Sequence, residues 1–496
     1  MILNDNDETN RQLIVMGNGF DLQCGMPTRY QDFFDYRFGI SLQNKINQKK
    51  DVNSNARVVF YKDLTEELYP YFDITVGPKR TISVTYLDDS RPSYYPSTNK
   101  EKLQIVSKTQ SFMQNYLQKI KEQITSKFTD PKIQKKFLNE WETISSINYS
   151  RWDTIFLLSN CFLSEDSIIQ WNDVENIILK IVSIILLDDK KIAPDDLISD
   201  LTFKPNSSKK YFMFGVRNCF NESKNKVAIA MLNQLRIFEE NFADYINKIR
   251  AESPNRYYRP SFELLTNLMH VQKENILDVL SFNYSLDKGC LDGFRQYFDN
   301  KYNNQNLITI NSWSNIHGVA AYKDDYEKGQ ILAQSTKTIG KNIQLPAPIF
   351  GIDNHDILNP QRNDNFTFDD PRSIFTKSFR LLDNHVNNIR TNTFQKNVDV
   401  ITFFGHSLNQ ADYSYFESIF DQYDIFHSNV KLEFYYYPGN DEVTAKSDER
   451  EVMKNVVKLL TSYGTTLVNE HGENIVNKLI LEQRLSVLPN PNPKIN

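Results

Sequence analysis

Apolar residues fall into two arrangements along this chain: short unbroken runs towards its two ends, and helical periodicity through its middle. The first run is Leu13-Ile14-Val15-Met16, and similar runs follow at 276–282, 308–316, 398–404 and 430–437. Apolar runs of this length bounded by turn residues read as strands covered on both faces, as in a parallel sheet. Between about 101 and 270 the spacing changes to that of helices, as in Phe112, Tyr116, Leu117 and Ile120, or Ile177, Ile178, Ile181, Ile184 and Ile185. Thr28-Arg29-Tyr30-Gln31 has the form of a capping box and opens a helix carrying Tyr30, Phe33, Phe34 and Phe38.

The pattern predicts a Rossmann-like α/β fold with a mainly parallel sheet and a large helical insertion. Its core is expected from 1–40 and 271–480, with a helical block over 101–270. Pro70, Pro78, Pro92 and Pro96 break the stretch 41–100, which reads as an irregular insertion. Residues 188–210 read as an exposed loop and 481–496 as a disordered tail. At 496 residues the chain exceeds the usual size of one hydrophobic core, so more than one compact region is expected.

The first run leads into Gly17-Asn18-Gly19-Phe20-Asp21. Glycines at such a turn let backbone approach a ligand phosphate or ribose closely. Leu22 stands where a dinucleotide fingerprint wants a third small residue, which disfavours hydride transfer. Three later runs also stop at polar clusters: Asn283-Tyr284-Ser285, His317-Gly318, and Gly405-His406-Ser407-Leu408 followed by Asp412. The run at 430–437 has no such cluster and reads as a structural strand. Ligands of open α/β sheets lie outside the carboxyl ends of the strands, so Asp21, Asn283, His317 and Ser407 are expected to meet in one crevice.

Each of these residues also has a plain structural reading. The glycine pair is also compatible with a tight turn alone, Asn283 with a cap on a helix near Leu286, and His317 or His406 with a loop-shaping role. Trp171, Asp173 and Glu175 open the helix of 177–185, where acids suit the helix dipole. His471-Gly472 lies in a polar stretch and reads as a loop.

Composition narrows the function classes. Lys and Arg total 57 against 62 Asp and Glu, a formal charge of −5, which argues against coating a nucleic acid along the whole chain. Scattered basic pairs such as Lys135-Lys136 and Lys209-Lys210 come without a clustered carboxylate pattern for metal-dependent phosphodiester cleavage. Cys24, Cys161, Cys219 and Cys290 are far apart, which suits free thiols in a reducing cytoplasm and no metal site. The longest apolar stretches, such as 181–187, are far short of a membrane span.

The order of Gly17-Asn18-Gly19, Phe282-Asn283-Tyr284, Ile316-His317-Gly318 and Gly405-His406-Ser407-Leu408 with Asp412 resembles the motif set of sirtuin-like NAD-binding domains. More narrowly, Gly-Asn-Gly-Phe-Asp with Pro27-Thr28, Trp171-Asn172-Asp173-Val174-Glu175 and Gly-His-Ser-Leu resemble the AbiH family of bacterial abortive-infection proteins. The resemblance implies an antiphage effector that hydrolyses the nicotinamide–ribose bond of NAD. Asn283 and His317 would be catalytic, Asn283 orienting the ribose or a water and His317 taking a proton. Gly17, Asn18, Gly19, Phe20 and Asp21, with Gly405, His406, Ser407, Leu408 and Asp412, would hold the nucleotide, the two loops using backbone amides and the serine hydroxyl. It further implies NAD or a related nucleotide as ligand and leaves room for a phage-derived trigger and for homo-oligomers. Zinc-binding cysteine pairs of deacylating sirtuins are missing, which points away from protein deacylation. Asn18 and Asp21 replace alanine and serine of that pattern, leaving room for another nucleotide. The alternatives are a nucleotide sensor or scaffold without turnover, and a nuclease-type toxin.

Overall fold

The computed structural model describes residues 9–47, 56–73, 104–164, 171–187, 198–199, 201–204, 209–220, 222, 224–252, 254–303, 307–320, 348–354, 357, 370–383, 393–408, 412–438, 442–467 and 471–492. The chain divides into two compact units, one of Met1–Thr28, Phe242–Phe366 and Thr376–Asn496, the other of Arg29–Asn241 and Thr367–Phe375.

The first unit is built on a six-stranded sheet. Its strands are β1 (Thr9–Met16), β2 (Glu274–Ser281), β3 (Leu307–Asn315), β4 (Val400–Phe404), β5 (Lys431–Tyr436) and β6 (Leu485–Pro489). Their order is β3-β2-β1-β4-β5-β6 and every neighbouring pair is parallel. The chain thus winds outward from β1 on one side and returns to β4 on the other, placing a topological switch point between β1 and β4. The apolar runs form these strands because both faces are covered: Leu13, Ile14, Val15 and Met16 are fully buried, as is Ile401, with Phe403 nearly so. Phe403 stacks on Phe434 of β5 with ring centroids 4.5 Å apart, and Phe416, Phe420 and Leu460 extend this core.

Three local expectations give way. Residues 485–489 are not tail but β6, whose Leu485 and Val487 pack on the core while Pro489 closes an edge strand that needs no further donor. Within 41–100, Ala56–Asp73 is a continuous helix with Pro70 inside it, because Phe60, Leu64, Leu68 and Phe72 recur on one buried face. The helix at 30 starts one residue later than a Thr28 cap would set it: the Asp32 carboxylate accepts the Arg29 N–H, and Thr28 Oγ1 donates to Asn18 Oδ1 at 2.6 Å. The loop expected at 188–210 lies largely outside the described residues.

The second unit is helical. Phe34 sits at its centre against Tyr30, Phe38, Phe156 and Phe238. Arg37 is buried in the same core, paired with Asp153 and lying over the Tyr149 ring at 5.2 Å. Asp153 also accepts the Ser150 N–H at 2.6 Å, completing a capping box on the helix Arg151–Phe162. A buried arginine of this kind is tolerated because its charge is paired and its fork is satisfied.

Among the described residues no helix is long and apolar enough to cross a membrane. Burial pushes the Cys24 thiol up to about 12 and Cys161 up to about 11, so neither is a reactive thiolate.

Candidate functional site

The polar clusters predicted at the strand ends all lie in the sheet-bearing unit. At the switch point the loops following β1 and β4 touch through backbone. The Gly17 N–H donates to Phe404 O at 2.9 Å and the Gly19 N–H to Gly405 O at 2.8 Å. A Cβ on Gly17 would lie 2.5 Å from the His406 Cα, and one on Gly19 would lie 2.7 Å from the Gly405 Cα. Gly405 has φ +68°, and its own Cβ would fall 2.4 Å from the Phe20 nitrogen. The three glycines therefore serve a backbone-to-backbone contact, and the amides of Gly17 and Gly19 are already committed within the fold.

The end of β2 is tied to the same loop. Asn283 is 4% exposed, and its Nδ2 donates to Gly17 O at 2.8 Å. Its backbone is fixed in turn: its N–H donates to Ser281 Oγ, and Asn315 Nδ2 donates to Asn283 O at 2.8 Å and to Leu286 O at 2.9 Å. Asn283 caps no helix, since the next one opens at Leu291 after a single 3₁₀ turn at Lys288–Cys290.

His317, at the end of β3, faces His406, from the loop after β4, across the Phe282 ring. Phe282 meets His317 edge-on at 5.3 Å and His406 at 4.5 Å between ring centroids. Asp412, just before the helix Tyr413–Gln422, reaches both histidines. Its Oδ2 lies 3.3 Å from His406 Nε2 and its Oδ1 3.6 Å from His317 Nε2. The Leu408 N–H donates to His406 Nδ1 at 3.0 Å, so that nitrogen is the acceptor and Nε2 carries the hydrogen facing Asp412. Leu408 itself has φ +56°, an uncommon conformation for a bulky residue that this tight turn imposes. Lys377 Nζ donates to Asp412 Oδ1 at 2.6 Å. Burial would raise the Asp412 carboxyl, but Lys377, the His406 hydrogen bond and the nearby His317 together hold it well below the usual carboxylate range. His317 is 5% exposed, and its Nε2 has no hydrogen-bond partner among the described residues. Burial, and then the Lys377 ammonium, bring its pKa down to about 3, so the ring is neutral near pH 7.

Asp21 belongs to a separate knot. Its two oxygens accept Tyr257 OH at 2.6 Å and Ser285 Oγ at 2.5 Å, and Tyr257 OH lies 2.8 Å from Ser285 Oγ. Arg250 braces the knot, donating to Ser285 O at 2.9 Å. Burial raises the Asp21 pKa to about 6 against the opposing pull of these hydroxyls and of Arg250. Ser407 is exposed, and His471 stands on an exposed turn with φ +53°.

The chain matches the family described as bacteriophage abortive infection AbiH over residues 13–436, most of its length. It belongs to the AbiH family. No curated protein and no solved structure matches it.

The AbiH match runs from inside β1 to the last residue of β5, so it takes in all four strand ends that carry the polar clusters. In this AbiH chain the structure brings together Gly17, Gly19, Asn283, His317, Gly405, His406 and Asp412, while Asp21 faces Tyr257 and Ser285 instead. The side chains of Trp171, Asn172 and Asp173 lie outside the described residues. Sequence reasoning missed Lys377, Asn315 and Tyr257. Asn315 had a signal, standing two residues before His317 at the end of an apolar run; Lys377 and Tyr257 had none, because neither follows a strand that ends in a polar cluster.

Two changes test this geometry. Gly405→Ala should destabilise the protein by about 3 kcal/mol or more in denaturant melts, since the methyl meets backbone and the φ is unfavourable; a loss below about 1 kcal/mol would show that the two loops do not meet as described. Asp21 keeps its proton up to about pH 6 when folded but ionises from 3.8 when unfolded, so its contribution to stability is lost as pH rises through that window. Asp21→Asn should therefore gain on the wild type by up to about 3 kcal/mol between about pH 4 and pH 7. An unchanged difference across that range would contradict a buried, proton-holding Asp21.

Proposed function

We propose that the crevice at the β1/β4 switch point binds NAD or a closely related nucleotide and hydrolyses its nicotinamide–ribose bond, as the effector step of abortive infection. The observation that carries this reading is the buried His317 Nε2, without a hydrogen-bond partner among the described residues, at the strand ends that also hold Asn283 and within 3.6 Å of Asp412. A neutral imidazole and an uncharged amide suit a reaction that passes through a cationic ribose, because neither repels developing positive charge.

In the reaction the bond from C1′ to the nicotinamide nitrogen breaks and nicotinamide leaves with the electron pair. Water adds to C1′, giving ADP-ribose and one proton. Asn283 uses Nδ2 to hold Gly17 O, which leaves its Oδ1 to accept from a ribose hydroxyl or the water. His317, neutral near pH 7, can take the proton of that hydroxyl or water. Asp412 lies close enough to favour the protonated ring. With the amides of Gly17 and Gly19 engaged, their loop meets the nucleotide through its remaining groups, and Ser407 and the turn after Gly405 hold the adenosine side.

Pure protein incubated with NAD and a panel of nucleotides, with products identified by mass, should release nicotinamide from NAD. His317→Ala and Asn283→Ala should each lose about 100-fold or more in rate. The wild-type rate should show no acid limb from His317 between about pH 5 and pH 8, because that ring stays neutral throughout the range. Full activity in both variants would place the chemistry elsewhere, and tight NAD binding without products would make the crevice a sensing site.

A further inference from the structure

We propose that Lys377 is a positioning residue of this site, locking the Asp412 carboxylate in the place from which it orients His406 and sets the charge environment of His317. The inference rests on reading the crevice as a reaction site.

Lys377 is built into its position at both ends. Its backbone N–H donates to Ile352 O at 2.9 Å, beside a parallel bridge between Ile352 and Thr376. Its stem lies on Gly351, where a Cβ would come within 2.8 Å of the Lys377 Cγ and 3.1 Å of its Cα. The side chain is 3% exposed and its ammonium reaches Asp412 Oδ1 at 2.6 Å. A lysine and an aspartate taken out of water together lose their hydration, and two apolar residues would fill the same volume at less cost. What an apolar pair would not do is hold one carboxylate against two imidazoles.

The charges around His317 decide what the ammonium does there. Lys377 faces it from the helix Lys377–Asp383, Asp412 from the residue before Tyr413–Gln422, and His406 from the loop after β4. The Tyr415 ring stands 5.5 Å from it and Phe282 covers its edge. Asp412 alone would draw a proton onto His317. Burial disfavours the charged ring first, and Lys377 on the same oxygen then offsets that attraction, so the ring remains neutral. Lys377 therefore keeps Asp412 available for orientation without letting it charge the base.

The test follows the seven histidine rings by ¹⁵N labelling and NMR over pH, with no substrate added, in wild type, Lys377→Met, Lys377→Gln and Lys377→Arg. The His317 ring should stay neutral from about pH 8 to about pH 5 in the wild type and in Lys377→Arg, and should titrate inside that range in Lys377→Met. Lys377→Gln keeps a hydrogen bond to Asp412 without the charge and should behave like the methionine variant, which guards against a single variant that folds badly. An unchanged His317 in folded Lys377→Met or Lys377→Gln would overturn the proposal. If the protein turns over NAD, the same two variants should lose about 100-fold in kcat with little change in KM and acquire an acid limb that arginine removes. If no form turns over NAD, the ring titration still decides the role of Lys377.

Discussion

Everything at the candidate site depends on one close backbone contact. The loops after β1 and β4 run against each other with two N–H to carbonyl hydrogen bonds, and there is no room at that contact for a side chain on Gly17, Gly19 or Gly405. The contact joins the innermost strands of the two halves of the sheet. Once it forms, Gly17 O is placed for Asn283, and His406 is carried to the point where it faces His317. The glycines thus act first on architecture, and on a ligand only through what they bring together.

Electrostatics then divides the polar groups into two sets. Around Asp412, an ammonium and two imidazoles meet a carboxylate that stays ionised, and the His317 Nε2, without a hydrogen-bond partner among the described residues, lies beside it. Around Asp21, two hydroxyls and a nearby guanidinium meet a carboxyl that holds its proton far more readily. The first set suits proton transfer with a fixed tautomer. The second resembles a structural brace, since both oxygens of Asp21 are already engaged by Tyr257 and Ser285.

The parallel sheet was legible because its strands are covered on both faces and so appear as unbroken apolar runs; β1 through β5 all stand where such runs occur. β6 was not, because Arg484, Ser486 and the nearby prolines give it the composition of a tail, and only pairing along β5 makes it a strand. Asn283, His317 and Gly405 were legible from their places at strand ends. Their partners were not: Lys377 opens a seven-residue helix, and its role depends on the fold bringing Gly351 and Asp412 to it. The Gly-x-Gly turn suggested close approach to a ligand, and in the structure what approaches it is the loop after β4.

We propose a nucleotide at the carboxyl ends of β1 to β4, with its nicotinamide-bearing ribose at Asn283 and His317. The most direct measurement is a crystal structure of the His317→Ala protein, chosen to slow turnover, grown with NAD. The ribose hydroxyls of the bound nucleotide are expected within hydrogen-bonding distance of Asn283, with the pyrophosphate along the loops after β1 and β4. A nucleotide bound away from these strand ends, or turned so that its adenine occupies the position beside Asn283, would contradict it.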